Sequence, residues 1–334
     1  MRQITTDVGK IIYKDVPDPV LKEGEALIEV KSVGICQSDI EPYQGKHLDV
    51  LKMPFVQGHE FGGIIKELKG KTDKFKVGDK VAVYPQLNCG SCYYCKNGLE
   101  HMCDNQVMFG SAKLEGAMSE FIAVPIKNLI KMKDSFDIRY AGLIEPASVA
   151  YHTVSRFKNA NVVIVGVGSI GVMMGQILKH NNCKFIAVDI NDDALKFAKE
   201  LGADFTLNVK DDKKIAKILE FLSGGLVDGV VLTYMDKQNL DFALDLVRKE
   251  GIVIEMASPV DMMLDTHKLF FKAINLKGSI CCNFEEYKKA ANLIEEGVIT
   301  AEKLITKIYP FSKAKDAFEF KGSTATLKVI ITSD

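Results

Sequence analysis

The chain has 334 residues, is 47% hydrophobic and 26% charged, and carries a formal net charge of −1 with a pI near 6.6. That length suits two domains of ordinary size. The near-neutral balance supplies no basic excess to condense on phosphate backbones or anionic lipid, which argues against nucleic acid and membranes as partners. The opening segment MRQITTDVGK has no long apolar stretch behind a basic start, so a cytoplasmic protein is expected.

In chain order, the part up to residue 150 shows short strand-like runs such as EALIEVKSV and KVAVYP between Gly, Pro and Asp turns, with little helix. It reads as a β-rich domain over residues 1–150. The most apolar region, 161–178, is punctuated by Gly166, Gly168, Gly171 and Gly175. It reads as a buried strand, turn and helix and not as a membrane span.

From there aliphatic runs alternate with helical ones: NVVIVG, SIGVMMGQILKH, KFIAVD, NDDALKFAKELG, DFTLN, IAKILEFL, VDGVVLT, LDFALDLVRKE, GIVIEM, HKLFFKAI and LKGSI. Asn191 suits the start of the second helix as a cap and Gly202 its end. Six strands separated by helices are what a doubly wound parallel sheet that binds a dinucleotide needs, here over residues 151–283. The tail from about residue 284 begins with the helical run EEYKKAANLIEEG and ends in the strand-like LKVIITS. It is expected to return and complete the first domain.

Gly166, Gly168 and Gly171 lie in GVGSIG, with Ile170 between the last two. The motif follows a strand and opens a helix, where bare backbone, amide hydrogens and the helix dipole favour a pyrophosphate. The next strand ends in Asp189, about 20 residues on, where a carboxylate can accept bonds from a ribose hydroxyl and repel a 2′-phosphate. NAD is therefore expected in preference to NADP. The alternative is a glycine-rich turn that binds nothing, or another nucleotide such as S-adenosylmethionine.

Cys89, Cys92, Cys95 and Cys103 crowd a polar, turn-rich stretch. Four thiolates can close a tetrahedral zinc site with no open position for chemistry, which reads as structural. An iron–sulfur cluster is the rival. His101 reads as a surface neighbour, and Cys183, Cys281 and Cys282 as small buried residues.

A second group is spread along GICQSD, GHEFGG and LIEP. Singly, Cys36, His59 and Glu145 have ordinary explanations as a buried thiol, a loop histidine and a helix-start carboxylate. However, GICQSD, GHEFGG, GDKVAV, the four-cysteine lobe, EPASVAYH and GVGSIG occur in one order. In that order the chain resembles, over essentially its whole length, the zinc-containing medium-chain dehydrogenases, and among them the sorbitol, threonine and sugar-acid dehydrogenase branch.

The resemblance implies an α/β protein in which a GroES-like β-rich catalytic domain, completed by the tail, joins a Rossmann domain. It also implies that Cys36 and His59 bind a catalytic zinc. Where the alcohol dehydrogenase branch has a second Cys, this chain has Glu145, as the polyol branch does. There the Glu after the metal-binding His can ligate directly, and the later Glu can ligate or hold the zinc-bound water. Glu60 and Glu145 both remain candidates. Ser38 resembles the relay hydroxyl, and Asp39 the carboxylate that orients the metal-binding imidazole.

Two departures stand out: Glu41 where many relatives have His, and Gln37 where relatives have Gly or Arg. Tyr43 and His47 fall in a segment that often lines the polyol pocket. A zinc with three protein ligands keeps one position open to polarise a hydroxylated small-molecule substrate. The implied activity is hydride transfer between a secondary alcohol (a polyol, sugar acid or cyclitol) and NAD, by a homo-oligomer, tetramer or dimer. An aliphatic or aromatic alcohol dehydrogenase is the alternative. A non-catalytic NAD- or zinc-binding protein is disfavoured, because it needs no open metal position.

Overall fold

Along the strand Glu25–Gly34 half-buried and buried residues alternate until Ser32, Val33 and Gly34, which are buried in succession. The alternation is that of a strand with one face on a core, and its end is where both faces are covered. In the computed structural model, which describes residues 1–49, 51–111, 113–257, 261–323 and 326–333, this strand is central to a seven-stranded sheet. It pairs antiparallel with Glu60–Lys69, Phe121–Pro125 and the C-terminal strand Lys328–Thr332. Gly34 lies opposite both Glu60 and Ile330 in register. Three strands from the start, the first quarter and the very end of the chain thus converge on one point.

Two compact units divide the chain, Met1–Ser148 with Cys282–Asp334, and Val149–Cys281. The first packs Ile28, Val30, Phe61, Ile65, Phe318 and Val329 into its core. Its helix Phe284–Glu295 starts with a reciprocal cap, in which Asn283 accepts the Glu286 amide and Glu286 accepts the Asn283 amide.

The second unit carries six parallel strands. In chain order they are Asn161–Val165, Lys184–Asp189, Phe205–Asn208, Val227–Leu232, Val247–Glu255 and Asn275–Gly278. In space they run third, second, first, fourth, fifth, sixth. This is the doubly wound order, which places a switch point beyond the first strand's carboxyl end. Asn191 caps the helix Asp192–Glu200 by accepting the amides of Asp193 and Ala194, and Gly202 follows at φ 108°.

One helix is shorter than its sequence suggests. The run LDFALDLVRKE is helical only to Leu246, and VRKE opens the strand Val247–Glu255. Val247 is fully buried opposite Val227, and Glu250 takes a left-handed φ of 58°. Pairing of a β-branched residue in the sheet thereby overrides a locally helical composition. Among the described residues no helix is long and apolar enough to cross a membrane.

Candidate active site

Cys36 caps the short helix Gln37–Tyr43, and Asp39 three residues on takes the Cys36 amide on Oδ2 at 2.9 Å. His59 precedes the strand that begins at Glu60. Cys36, His59 and Glu60 each offer a ligand atom, and those atoms all lie within 4.8 Å of one another. A Cβ on Gly34 would stand 2.1 Å from Glu60 Oε2, so the Glu60 carboxylate rests against bare backbone. Glu145 sits in the first turn of the helix Ile144–Val154, where the helix dipole favours a carboxylate.

The electrostatics are those of a crowded anionic site. Burial drives the Glu145 carboxyl up to about 7; repulsion from Glu60 and Asp39 adds to it, while His59 and Lys328 oppose it. Asp39 is raised too, chiefly by burial. Burial alone would lower His59, but a hydrogen bond with Cys36 and the charges of Cys36, Asp39 and Glu145 carry it well above its ordinary value. His59 Nδ1 lies 3.9 Å from Asp39 Oδ1, a carboxylate placed to steer the imidazole. A thiol, an imidazole and a carboxylate with ligand atoms this close call for a cation among them, and Glu145 stays outside that group of three. Their mixture of sulfur, nitrogen and oxygen donors suits zinc.

The sequence did not point to Lys328. It opens the C-terminal strand, is 3% exposed, and donates from Nζ to Glu60 Oε1 at 2.8 Å and Oε2 at 2.6 Å. A lysine at the start of an apolar run looks like a solvated strand end; what turns it inward is the pairing of its strand, which sets Ile330, two residues on, opposite Gly34. Ser38 is exposed in the first turn of the Gln37–Tyr43 helix. Glu41 and His47 approach to 3.6 Å, so the residue found in place of the relatives' His has an imidazole beside it.

The sulfur atoms of Cys89, Cys92, Cys95 and Cys103 also lie within 4.8 Å of one another. Amides of Ser91 and Cys92 and the Ser91 hydroxyl donate to Cys89 Sγ and bring that thiol down to about 5, with Cys95 the high member at about 12. Amide-solvated thiolates of this kind are pre-set for metal. His101 is buried at 9% exposure, not the surface neighbour expected: in the 3-10 turn Glu100–Met102 it is the one buried side chain, while Met102 beside it is exposed; it does not join the four sulfurs.

In the second unit Gly166 has φ 90°, with Thr233 Oγ1 just 2.0 Å from where a Cβ would stand, and a Cβ on Gly171 would come within 2.4 Å of the Gly166 carbonyl. Gly168, by contrast, opens on free space at the N-cap of the helix Ser169–His180, whose first turn includes Ile170. Asp189 accepts the amides of Val167 on Oδ2 and Asn191 on Oδ1, each at 2.8 Å. It lines a cavity of about 240 Å³ together with Gly166, Ile190, Val209 and Lys210.

Comparison with known proteins agrees with this architecture. Residues 22–134 match the alcohol dehydrogenase GroES-like domain, and residues 169–296 match the zinc-binding dehydrogenase domain. The chain is 30% identical to an uncharacterized zinc-type alcohol dehydrogenase-like protein of Haemophilus influenzae over 310 residues, 91% of this chain and 90% of the relative. It is 29% identical to sorbitol dehydrogenase of Bacillus subtilis over 332 residues, covering 96% and 94%. A crystal structure of a short chain alcohol dehydrogenase from Escherichia coli with NADH superposes with a TM-score of 0.91 at 27% identity, covering 99% of each chain. The chain belongs to the zinc-dependent medium-chain dehydrogenase family, with a GroES-like domain and a Rossmann domain. Within that family it is an NAD-linked zinc alcohol dehydrogenase.

Proposed function

We propose that this enzyme oxidises a secondary hydroxyl of a polyol, sugar acid or cyclitol, with NAD as hydride acceptor. The observation that carries the reading is the carboxylate character of the cluster. Glu60 stands within ligand reach of Cys36 and His59, and Glu145, buried and within electrostatic reach of both His59 and Glu60, stands where the resemblance puts a second thiolate. Cys36 and His59 hold the catalytic zinc with one of these carboxylates, and the four-cysteine lobe holds the structural one. Bound zinc supplies a Lewis acid that favours the deprotonated hydroxyl. Ser38 takes the hydroxyl proton toward solvent, and Asp39 keeps His59 oriented. Gly166, Gly168, Ile170 and Gly171 present the pyrophosphate with amides, and Asp189 takes the ribose.

The split of the chain near residues 148 and 282 supports a division of labour between two domains. Residues 1–150 with 284–334 form the catalytic domain, and 151–283 bind NAD. Sorbitol dehydrogenase among the relatives supports a hydrophilic substrate. A homo-oligomer, tetramer or dimer, is supported by the sheet's edge strand Asn275–Gly278, all four residues of which are exposed, beside Phe270 at 79% and Phe271 at 63% exposure. Thiolate zinc ligands need a reducing compartment, which favours the cytoplasm.

The test is turnover of polyols, sugar acids, cyclitols and simple alcohols by the zinc-loaded enzyme with NAD. The reading expects kcat/KM to be highest on a polyhydroxylated secondary alcohol. Preference for a simple aliphatic or aromatic alcohol would overturn it.

A further inference from the structure

Glu60 has two claimants. Its carboxylate lies within ligand reach of Cys36 and His59, yet both of its oxygens are already taken by Lys328 at 2.8 and 2.6 Å. Glu60 is 1% exposed and Lys328 3%, so water competes for neither. Each carboxylate oxygen has two lone-pair sites, so sharing is geometrically possible. An ammonium held that closely nevertheless draws the carboxylate's charge away from any cation at Cys36 and His59, and in a buried site that competition is strong.

Lys328 is itself held in place. Lys321, near the end of the helix Ala314–Ser323, donates from Nζ to the Thr326 hydroxyl at 3.0 Å and to the carbonyls of Thr326 at 3.4 Å and Leu327 at 3.3 Å. The Leu327 amide is fastened on its other side to Thr306 Oγ1 at 3.0 Å. The backbone entering Lys328 is therefore laced on both sides. Burial first, then the charge of Lys328, bring Lys321 down to about 8.

We propose that Lys328, seated by Lys321, is a positioning residue that sets how far Glu60 ligates the catalytic zinc. With Lys328 in place Glu60 is a shared, exchangeable ligand, and the metal keeps a position for substrate. Without it Glu60 becomes a buried carboxylate whose only strong partner is the metal. Glu60 then stays on the zinc, which is gripped more tightly and is less open to substrate.

This inference rests on the zinc assignment at Cys36 and His59, and its test reads the metal directly. Zinc-loaded wild type, Lys328→Met, Lys328→Arg, Lys321→Met and the double variant Lys328→Met with Glu60→Gln are mixed with excess dipicolinate, and release of zinc is followed. A cobalt-loaded set reports coordination through its visible d–d bands. Lys328→Met should slow release of one zinc at least tenfold and weaken the d–d bands, as an added ligand does. Lys321→Met should shift both in the same direction by less, and Lys328→Arg should restore wild-type behaviour. In the double variant slow release should disappear.

Release from Lys328→Met as fast as from wild type, or an unchanged cobalt spectrum, would overturn the proposal. If Lys328→Met does not fold, Lys321→Met decides alone, and unaltered release there refutes the seating role. A wild-type protein that binds only one zinc overturns this inference and the zinc assignment together, whereas a failed substrate panel with two zincs bound leaves this inference standing.

Discussion

Gly34 shows how much of the site depends on a missing side chain. An alanine there would set its Cβ 2.1 Å from Glu60 Oε2 and 2.6 Å from the Gly142 carbonyl. The Gly142 carbonyl cannot yield and the carboxylate can, so Glu60 is expected to lose its bonds to Lys328. Gly34→Ala should lower turnover by about 10²-fold, the scale of a misplaced reactive group, while the four-cysteine zinc is retained; metal analysis and kcat measure the two effects. Asp189 is a second residue whose role can be isolated. Its two oxygens order the Val167 and Asn191 amides, so Asp189→Asn keeps one of those acceptors, loses the other and removes the charge. We expect kcat/KM for NAD to fall about tenfold, a change of roughly 1.4 kcal/mol, and the discrimination against NADP to shrink with it. An unchanged NAD to NADP ratio would remove Asp189 from the selectivity argument.

At the scale of elements, the helix Ser169–His180 is fitted to its sheet through Gly175, where a Cβ would lie 2.1 to 2.6 Å from ring atoms of Phe185. Alanine improves helix propensity by roughly 0.5–1 kcal/mol, but overpacking against a buried ring costs about 1–3 kcal/mol. Gly175→Ala should be net destabilising in urea denaturation. Asp79 ties two strands together: it takes the Lys76 amide at 2.9 Å and the Lys131 ammonium at 2.8 Å, joining the turn before Lys80–Val83 to Leu129–Lys131.

Burial would raise the Asp79 carboxyl, but its bonds to Lys131 and to the Lys76 amide hold it below its ordinary value. A carboxylate depressed by folding contributes stability above its unfolded pKa, near about 3.9, and loses it as pH falls through the lower folded value. Asp79→Asn should therefore cost about 1–2 kcal/mol at pH 7, with the gap to wild type closing in strongly acid melts. The sequence made elements of this kind legible where periodicity is strong, as in the parallel strands whose apolar runs stand between helices. It misled at Val247, where a helical composition meets a strand partner at Val227 that no local window contains. Lys328 was hidden for the same reason, since Glu60 is 268 residues away along the chain.

At the scale of the whole molecule the two metal sites draw on separate stretches of sequence. The four cysteines fall within 15 residues of chain, from Cys89 to Cys103, whereas Cys36, His59 and Glu60 are brought together by the pairing of Glu25–Gly34 with Glu60–Lys69. The local site was therefore readable from spacing, while the dispersed one needed the resemblance to bring its members together. Their loss should differ accordingly. Cys36→Ala removes a thiolate from a cluster whose surroundings are already packed into the core around Val33, Ile35 and Phe61, so one zinc and all turnover should go with little change in melting temperature. Cys92→Ser opens a lobe that has few buried residues of its own. That lobe is closed mainly by its metal, a loop closure worth about 2–3 kcal/mol. Here the other zinc should be lost, melting should fall by several degrees, and the Cys36 site should stay occupied. If either substitution emptied both sites, the two centres would be coupled through the fold and the separation argued from sequence spacing would fail.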